Sequence, residues 1–344
     1  MRRREFVRTT LTALPALAFA GPALARAGTA RAFVVKAGAS RFGVPTPFRG
    51  VSPNDLKLSS KDTDGVVSTF DFLGLDRRGP SLHVHPGQDE AFYVVSGDYV
   101  FQSGEEKQRL VGGDVIFLPR GIKHSWVQMS ERGQMFYFLQ PAGQMEEYFL
   151  KTTQLGENPD PAALAKVRAE SGITNLGPGL KATDPHVLSE TLSHGFLVRA
   201  GRGRFDEAAR AGRGSMHYVK VSASDTGSAL TVFEVEGRQT FAQPLHVHAG
   251  QDEIAYVIGG RHRVRCGDET FTLEAGDMVF LPRAVPHAWA QVSEDGKLLS
   301  YFTPSGRIED FFRALGERPP RPGADTAALY ASHGLTLLGP PPAA

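Results

Sequence analysis

Three histidines and one glutamate recur twice along the chain at matched spacings. His83 and His85 are separated by one residue, and Glu90 follows the second by five; His246, His248 and Glu253 repeat the arrangement. In each half a further histidine, His124 or His287, stands five positions beyond the proline of a Phe-Leu-Pro-Arg run. Imidazoles and a carboxylate form a donor set for a divalent transition metal. Three imidazoles and one carboxylate leave one or two positions open on an octahedral ion, which suits catalysis better than structural binding. A lone histidine beside a strand is more often core or surface than ligand. A four-residue set reproduced in both halves reverses that weighting, so one divalent ion per half is expected, with Mn, Fe, Ni, Co, Cu and Zn all acceptable to the donors. His186, His194, His217, His262 and His333 have no counterpart in the other half and are assigned no role.

Strands must position these groups. Residues two apart in a strand point to one face, so His83 and His85 project together, as do His246 and His248. Glu90 and Glu253 return from the adjoining strand across a Pro-Gly or Ala-Gly bend, and His124 and His287 arrive in a turn from a distant strand. If Glu90 points inward, Phe92 and Val94 do so too, against Ala255 and Val257 in the second half. The second pocket is therefore expected to be the roomier. Trp126 and Trp289, two residues after the last histidine, are candidates for pocket lining or core packing. Gln88 and Gln251 are candidates for hydrogen bonding behind the ligands or for capping the turn.

The whole unit is duplicated. Residues 81–149 align with 244–312 without a gap at a displacement of 163, with roughly 30 identities in 69 positions, well beyond chance. Apolar clusters such as Ala91 to Val95 and Asp114 to Leu118, bounded by Gly, Pro and Asp, read as strands. Pro161 to Ser171 and Ala324 to His333 read as helices, with Asp160 and Asp325 supplying cap chemistry. The 344 residues therefore divide into 32–178, a connection and lead-in at 179–226, and 227–340. The 38 glycines and 23 prolines favour short elements and an all-β class. A net charge of +1 excludes a broad basic field for nucleic acid or an anionic membrane. Cys266, the only cysteine, excludes an internal disulfide and a thiolate metal site.

Residues 1–25 read as a signal peptide. Arg3-Arg4, then Phe6-Val7 and Arg8, precede an uncharged apolar stretch from Leu11 that ends in Ala23-Leu24-Ala25, a small-x-small cleavage site. The pattern resembles the bacterial twin-arginine signal, with Arg2 where Ser or Thr is usual; an ordinary Sec signal gives the same periplasmic or secreted destination. The twin-arginine machinery carries folded proteins, so metal can be inserted before export. The leader carries four Arg and one Glu, so cleavage leaves the mature chain near +1 − 3 = −2. No cysteine follows the cleavage site to take a lipid anchor.

Leu82 to Gly97 and Gly113 to Gln128, with their copies Leu245 to Gly260 and Gly276 to Gln291, resemble the two cupin motifs, so the chain is similar to a bicupin. His-x-His, four residues, Glu, six residues, Gly fits fully in both halves; Ala284 stands where the second motif usually has Gly, and Gln128 and Gln291 where Asn is usual. The resemblance implies two tandem jelly-roll barrels of six to eight strands, each closed by a short C-terminal helix, with metal inside. Among bicupins the chain resembles the quercetin 2,3-dioxygenase family. It shares the four-residue His-to-Glu spacing, the Glu-x-x-Tyr-Val run, the Pro-x-Gly after the last strand and the closing Leu-Gly-Pro. That implies cleavage of a flavonol or similar aromatic enol by O₂ with loss of carbon monoxide, Glu90 or Glu253 accepting the substrate hydroxyl proton. Two alternatives stand beside it. An oxalate decarboxylase-like bicupin has three residues between His and Glu and an Arg three before the first His, where this chain has Pro80 and Gln243. A germin-like periplasmic metal store would need no catalysis. A small-molecule, aromatic substrate is expected as partner, with the chain a monomer or homodimer.

Overall fold

The computed structural model describes residues 31–207, 209–210, 214–238, 241–317 and 323–341. The leader at 1–25 lies outside the described residues. Each half forms two antiparallel sheets facing one another. In the first, a five-stranded sheet runs Thr174–Gly177, Leu82–Val84, His124–Gln128, Asp98–Ser103, Glu106–Val111, opposite a six-stranded sheet built on Asp89–Ser96 and Gly133–Gln140. In the second, Glu269–Leu273, His262–Cys266, His287–Gln291, Ala242–His248 and Leu335–Gly339 face a seven-stranded sheet built on Asp252–Gly259 and Gly296–Thr303.

These totals exceed the six to eight strands that the resemblance implies, because tails and exchanged strands extend the barrels. Phe33–Val35, at the start of the first half, pairs with Met278–Phe280 of the second. Phe196–Val198 pairs with Val115–Phe117 of the first. Each half thus lends its lead-in strand to the other. Alternation then explains why Asp89–Ser96 is buried on both faces: Phe92 and Val94 enter the core of their own barrel, whereas Ala91 and Tyr93 join a central cluster with Ile254 and Tyr256. Phe136 stacks on Tyr256 across the boundary at 3.9 Å between ring centroids. Each barrel keeps its own apolar interior, and the two share a third, central cluster between them.

Four helices are present among the described residues, two per half: α1 Met145–Gln154, α2 Pro161–Glu170, α3 Ile308–Glu317 and α4 Ala324–Ser332. One closing helix per barrel was expected; α1 and α3 are additional. Their sequences carry the signal, since Met145, Tyr148, Phe149 and Thr152, like Ile308, Phe311, Phe312 and Leu315, recur at i, i+3, i+4 and i+7. Asp160 caps α2 by accepting from the Ala163 N–H at 2.9 Å. Asp325 does not cap α4. Gly323 takes the cap position, and Asp325 sits in the first turn, where it complements the helix dipole.

Candidate metal centres and the cavities above them

The strand that begins at Leu82 carries His83, with His85 immediately after it; Glu90 opens its inward-facing alternation one strand away, and His124 is the first residue of His124–Gln128. That last placement differs from the expected turn: the histidine is already paired into the sheet opposite His83. The ligand-type atoms of His83, His85, Glu90 and His124 lie within 4.8 Å of one another, as do those of His246, His248, Glu253 and His287. Both groups are potential metal sites, one in each barrel. All eight residues are buried except His83, which is half-buried.

The hydrogen bonds orient the rings for such a role. His83 Nδ1 donates to the Ser81 carbonyl at 2.7 Å and His124 Nδ1 to that of Ile122 at 2.9 Å; His246 and His287 do the same to Pro244 and Val285 at 2.8 and 3.0 Å. A donating Nδ1 leaves Nε2 as a lone pair directed at the other rings. His248 Nδ1 donates to Gln251 Oε1 at 3.2 Å, and the Gln251 amide in turn donates to the Pro304 and Ser305 carbonyls. Gln251 therefore does stand behind a ligand-type histidine, whereas Gln88 bonds only the carbonyls of Pro141 and Ala142. His246 Nε2 and His248 Nε2 then face each other at 3.2 Å. Two lone pairs at that distance repel unless a cation lies between them. In the first barrel neither nitrogen of buried His85 makes a hydrogen bond, Nε2 standing 3.7 Å from Glu90 Oε2, an expensive condition that one metal bond to Nε2 relieves. The donor set fits a divalent ion in both halves.

Electrostatics agree with neutral rings. Burial, reinforced by the neighbouring imidazoles, pushes His83, His85 and His246 down to about 3. Burial opposes the Glu253 charge, but the His248 and His287 rings beside it outweigh that penalty and hold the carboxyl well below its usual range. Neutral imidazole and ionised carboxylate are the protonation states that bind metal.

The cavities differ in size, opposite to expectation. The first is about 580 Å³ and reaches from His83, His85 and Glu90 past Phe92, Trp126 and Tyr137 to α1 and α2. The second, above His246, His248 and Glu253, is about 180 Å³. Ala255 does make room, but behind Glu253. There it lines a separate void of about 20 Å³ with Trp289, His217 and His262. Above the second site, Phe311, Phe312 and Tyr330 close in from α3 and α4. Tyr330 stands four residues before Gly334, as Arg168 does before Gly172 in the first half, so an aromatic ring fills what a guanidinium only borders. Helix residues, not the strand alternation, set the volume.

Several residues at the first site were not singled out from sequence. Tyr137 stacks on Phe92 at 5.0 Å and donates to Asn54 Oδ1 at 2.8 Å. Alternation along Gly133–Gln140 was the available signal. At the equivalent place in the second barrel, Ser300 donates to Glu253 Oε1 at 3.3 Å. Arg49 and Arg168 reach the first cavity from a loop and a helix far apart in sequence, and no local pattern marks them.

Residues 76–139 and 232–302 match the family described as the cupin domain. Quercetin 2,3-dioxygenase of Bacillus subtilis is 22% identical over 249 residues, covering 69% of this chain and 72% of that one. An uncharacterized protein of Streptomyces coelicolor is 32% identical over 76 residues, covering 22% of this chain and 70% of the other. Among solved structures, Bacillus subtilis oxalate decarboxylase at pH 4.6 gives a TM-score of 0.51 at 14% identity over 85% of both chains. Another structure of that enzyme, described through its Mn(II) centres, gives 0.52 at 14% identity over 85% of this chain and 86% of that one. At such identities the structural likeness shows the fold alone.

Proposed function

The chain carries two cupin domains, and from that premise we propose that it is an exported metal-dependent oxidoreductase whose first barrel cleaves a flavonol-type aromatic enol with O₂. The observation that carries the reading is the first cavity: about 580 Å³ with aromatic walls and a floor of His83, His85 and Glu90. That volume suits a drug-sized ring system. The 22% identity to a quercetin 2,3-dioxygenase supports the reaction class.

His83, His85, Glu90 and His124 would hold the ion. When bound, it supplies Lewis-acid stabilisation of the substrate enolate and brings O₂ to it. Glu90 accepts the proton of the substrate hydroxyl. Phe92, Trp126 and Tyr137 hold the rings flat against the wall and exclude water, and Tyr148 and Phe149 of α1 cover them. Both oxygen atoms of O₂ enter the products, and one ring carbon leaves as carbon monoxide. In the second barrel, His246, His248, Glu253 and His287 would hold a second ion beneath a cavity too small for a flavonol. Glu253 keeps its charge there to bind the ion; it has no large substrate to deprotonate.

Export belongs to the same proposal: residues 1–25 direct the chain out of the cytoplasm. Replacing Arg3 and Arg4 by Lys should leave uncleaved precursor inside the cell, and unaltered processing would refute a twin-arginine route.

The test uses purified mature protein. Metal content is measured by mass spectrometry, then quercetin absorbance and carbon monoxide are followed in air. His83→Ala should remove turnover and one equivalent of metal, and His246→Ala one equivalent of metal with turnover kept. Bound metal without turnover of any flavonol would overturn the dioxygenase reading and leave the two metal sites standing.

A further inference from the structure

The first cavity has a charged rim that the reaction proposed above does not use. Arg49 and Arg168 both line it. Arg49 Nη2 donates to the Gly79 carbonyl at 3.2 Å and Arg168 Nη2 to Ser81 Oγ at 3.2 Å. The two guanidiniums thus flank Pro80 on the segment that runs directly into the His83 strand, and Ser81 also fixes the His83 ring through its carbonyl. Of the carboxylates lining the cavity, Glu90 belongs to the candidate metal site, and Glu157 forms no ion pair with either arginine. Arg78 is neutralised by its contact with Asp76. Among the described residues Arg49 and Arg168 have no ion-pair partner.

Two guanidiniums without an ion-pair partner at an aromatic-walled cavity offer donors of the kind an anion takes. Each presents planar, paired N–H donors that match a carboxylate, and each retains donors beyond its single bond to the Gly79–Ser81 segment. The second barrel lacks this arrangement. Tyr330 takes the place of Arg168, and its cavity is lined without any arginine.

We propose that the first cavity selects an aromatic carboxylate, its ring system held by Phe92 and Trp126, its carboxylate bridged by Arg49 and Arg168, and its reacting end at His83, His85 and Glu90. The assignment rests on the first barrel being the reacting centre. It narrows the substrate from aromatic enols in general to acidic ones.

The test is binding to metal-free protein, so that neither turnover nor direct metal coordination contributes. 2-Naphthoate and 2-naphthamide, which differ in charge but hardly in shape, are titrated calorimetrically at low salt. The acid should bind about tenfold more tightly, the ratio that about 1.4 kcal/mol gives. The preference should vanish in Arg49→Gln/Arg168→Gln and survive in part in Arg49→Lys/Arg168→Lys. Raising salt should weaken naphthoate and leave naphthamide unchanged, a readout that needs no variant. Equal affinity for the two probes, or a preference untouched by the glutamine pair, would overturn the proposal. Because the assay is independent of metal and oxygen, a protein that fails to turn over flavonols can still pass it, and one that turns them over can still fail it.

Discussion

The Tyr93 hydroxyl of the first barrel donates to Glu234 of the second at 2.6 Å, and Tyr256 of the second answers with a bond to Asp71 of the first at 3.0 Å. Both carboxylates are buried beside buried lysines, Lys220 at 3.5 Å and Lys57 at 3.9 Å. The barrels are therefore joined by a reciprocal polar pair embedded in the shared apolar cluster. Tyr93→Phe keeps the ring and removes one donor from a charged acceptor that has no access to water. Such a loss should cost about 1–3 kcal/mol. Each barrel has its own interior cluster, but both also bury residues in the central one between them, so denaturant melts of both the native chain and this variant should show one transition. Two resolved transitions would contradict the shared core.

Much of this architecture was legible because the same pattern is written twice. The eight histidines and glutamates that converge stand out by repetition at a fixed displacement, and alternation inward from Glu90 extends to Phe92, which lines the cavity. Other features have no local signature. Phe33–Val35 and Phe196–Val198 are three-residue strands whose partners lie more than two hundred and about eighty residues away, so only tertiary pairing makes them strands. The cavity volumes run opposite to the expectation from Phe92 and Ala255 because Arg168 and Tyr330, on helices closing the barrels, decide the space. The helical spacing of Ile308, Phe311, Phe312 and Leu315 is a local signal, but a short one in a chain dominated by strand patterns.

The two tryptophans report on the two halves separately. Trp126 lines the large cavity, whereas Trp289 lies behind Glu253 with its indole N–H donating to His262 Nδ1 at 3.2 Å. Adding a flavonol should quench emission from Trp126. The change should disappear in Trp126→Phe and persist in Trp289→Phe. The reverse pattern would move substrate binding to the second barrel.

Acid should destabilise the fold through a histidine outside either candidate site. His217 is fully buried, its ring packed on Phe312 at 4.3 Å with neither nitrogen partnered. Burial pushes it from its ordinary value near 6.5 down to about 3. The unfolded chain therefore binds a proton that the folded chain refuses throughout that interval. The stability is fully present above pH 6.5 and is lost as pH falls toward 3. His217→Phe, compared with the native chain after metal removal from both, should abolish about 1 kcal/mol of acid sensitivity between pH 7 and pH 5.5. Parallel stability curves for the two proteins would refute a neutral, buried His217.

The departure from the motif that is confined to the second barrel, Ala284, has a stability consequence of its own. Gly121 adopts φ 79°, and Ala284 at the equivalent position adopts φ 63°. The turn is held by the same bond in each half, Gly121 N–H to the His85 carbonyl at 2.9 Å and Ala284 N–H to that of His248 at 2.8 Å. Tethering the turn to a ligand-type histidine fixes the backbone there, so alanine must accept the left-handed conformation at a cost of about 1–2 kcal/mol. Glycine removes that cost but adds about 0.4–1 kcal/mol of unfolded-state entropy. Ala284→Gly should therefore raise stability by roughly 0.5–1 kcal/mol, the difference between those two effects. Gly121→Ala should lower it by a similar amount, because a Cβ there meets no neighbouring atom within 4 Å and only the backbone conformation is penalised. Denaturant midpoints of the two variants should consequently move in opposite directions. A loss of stability in Ala284→Gly would mean that the Ala284 methyl makes packing contacts worth more than the strain it imposes.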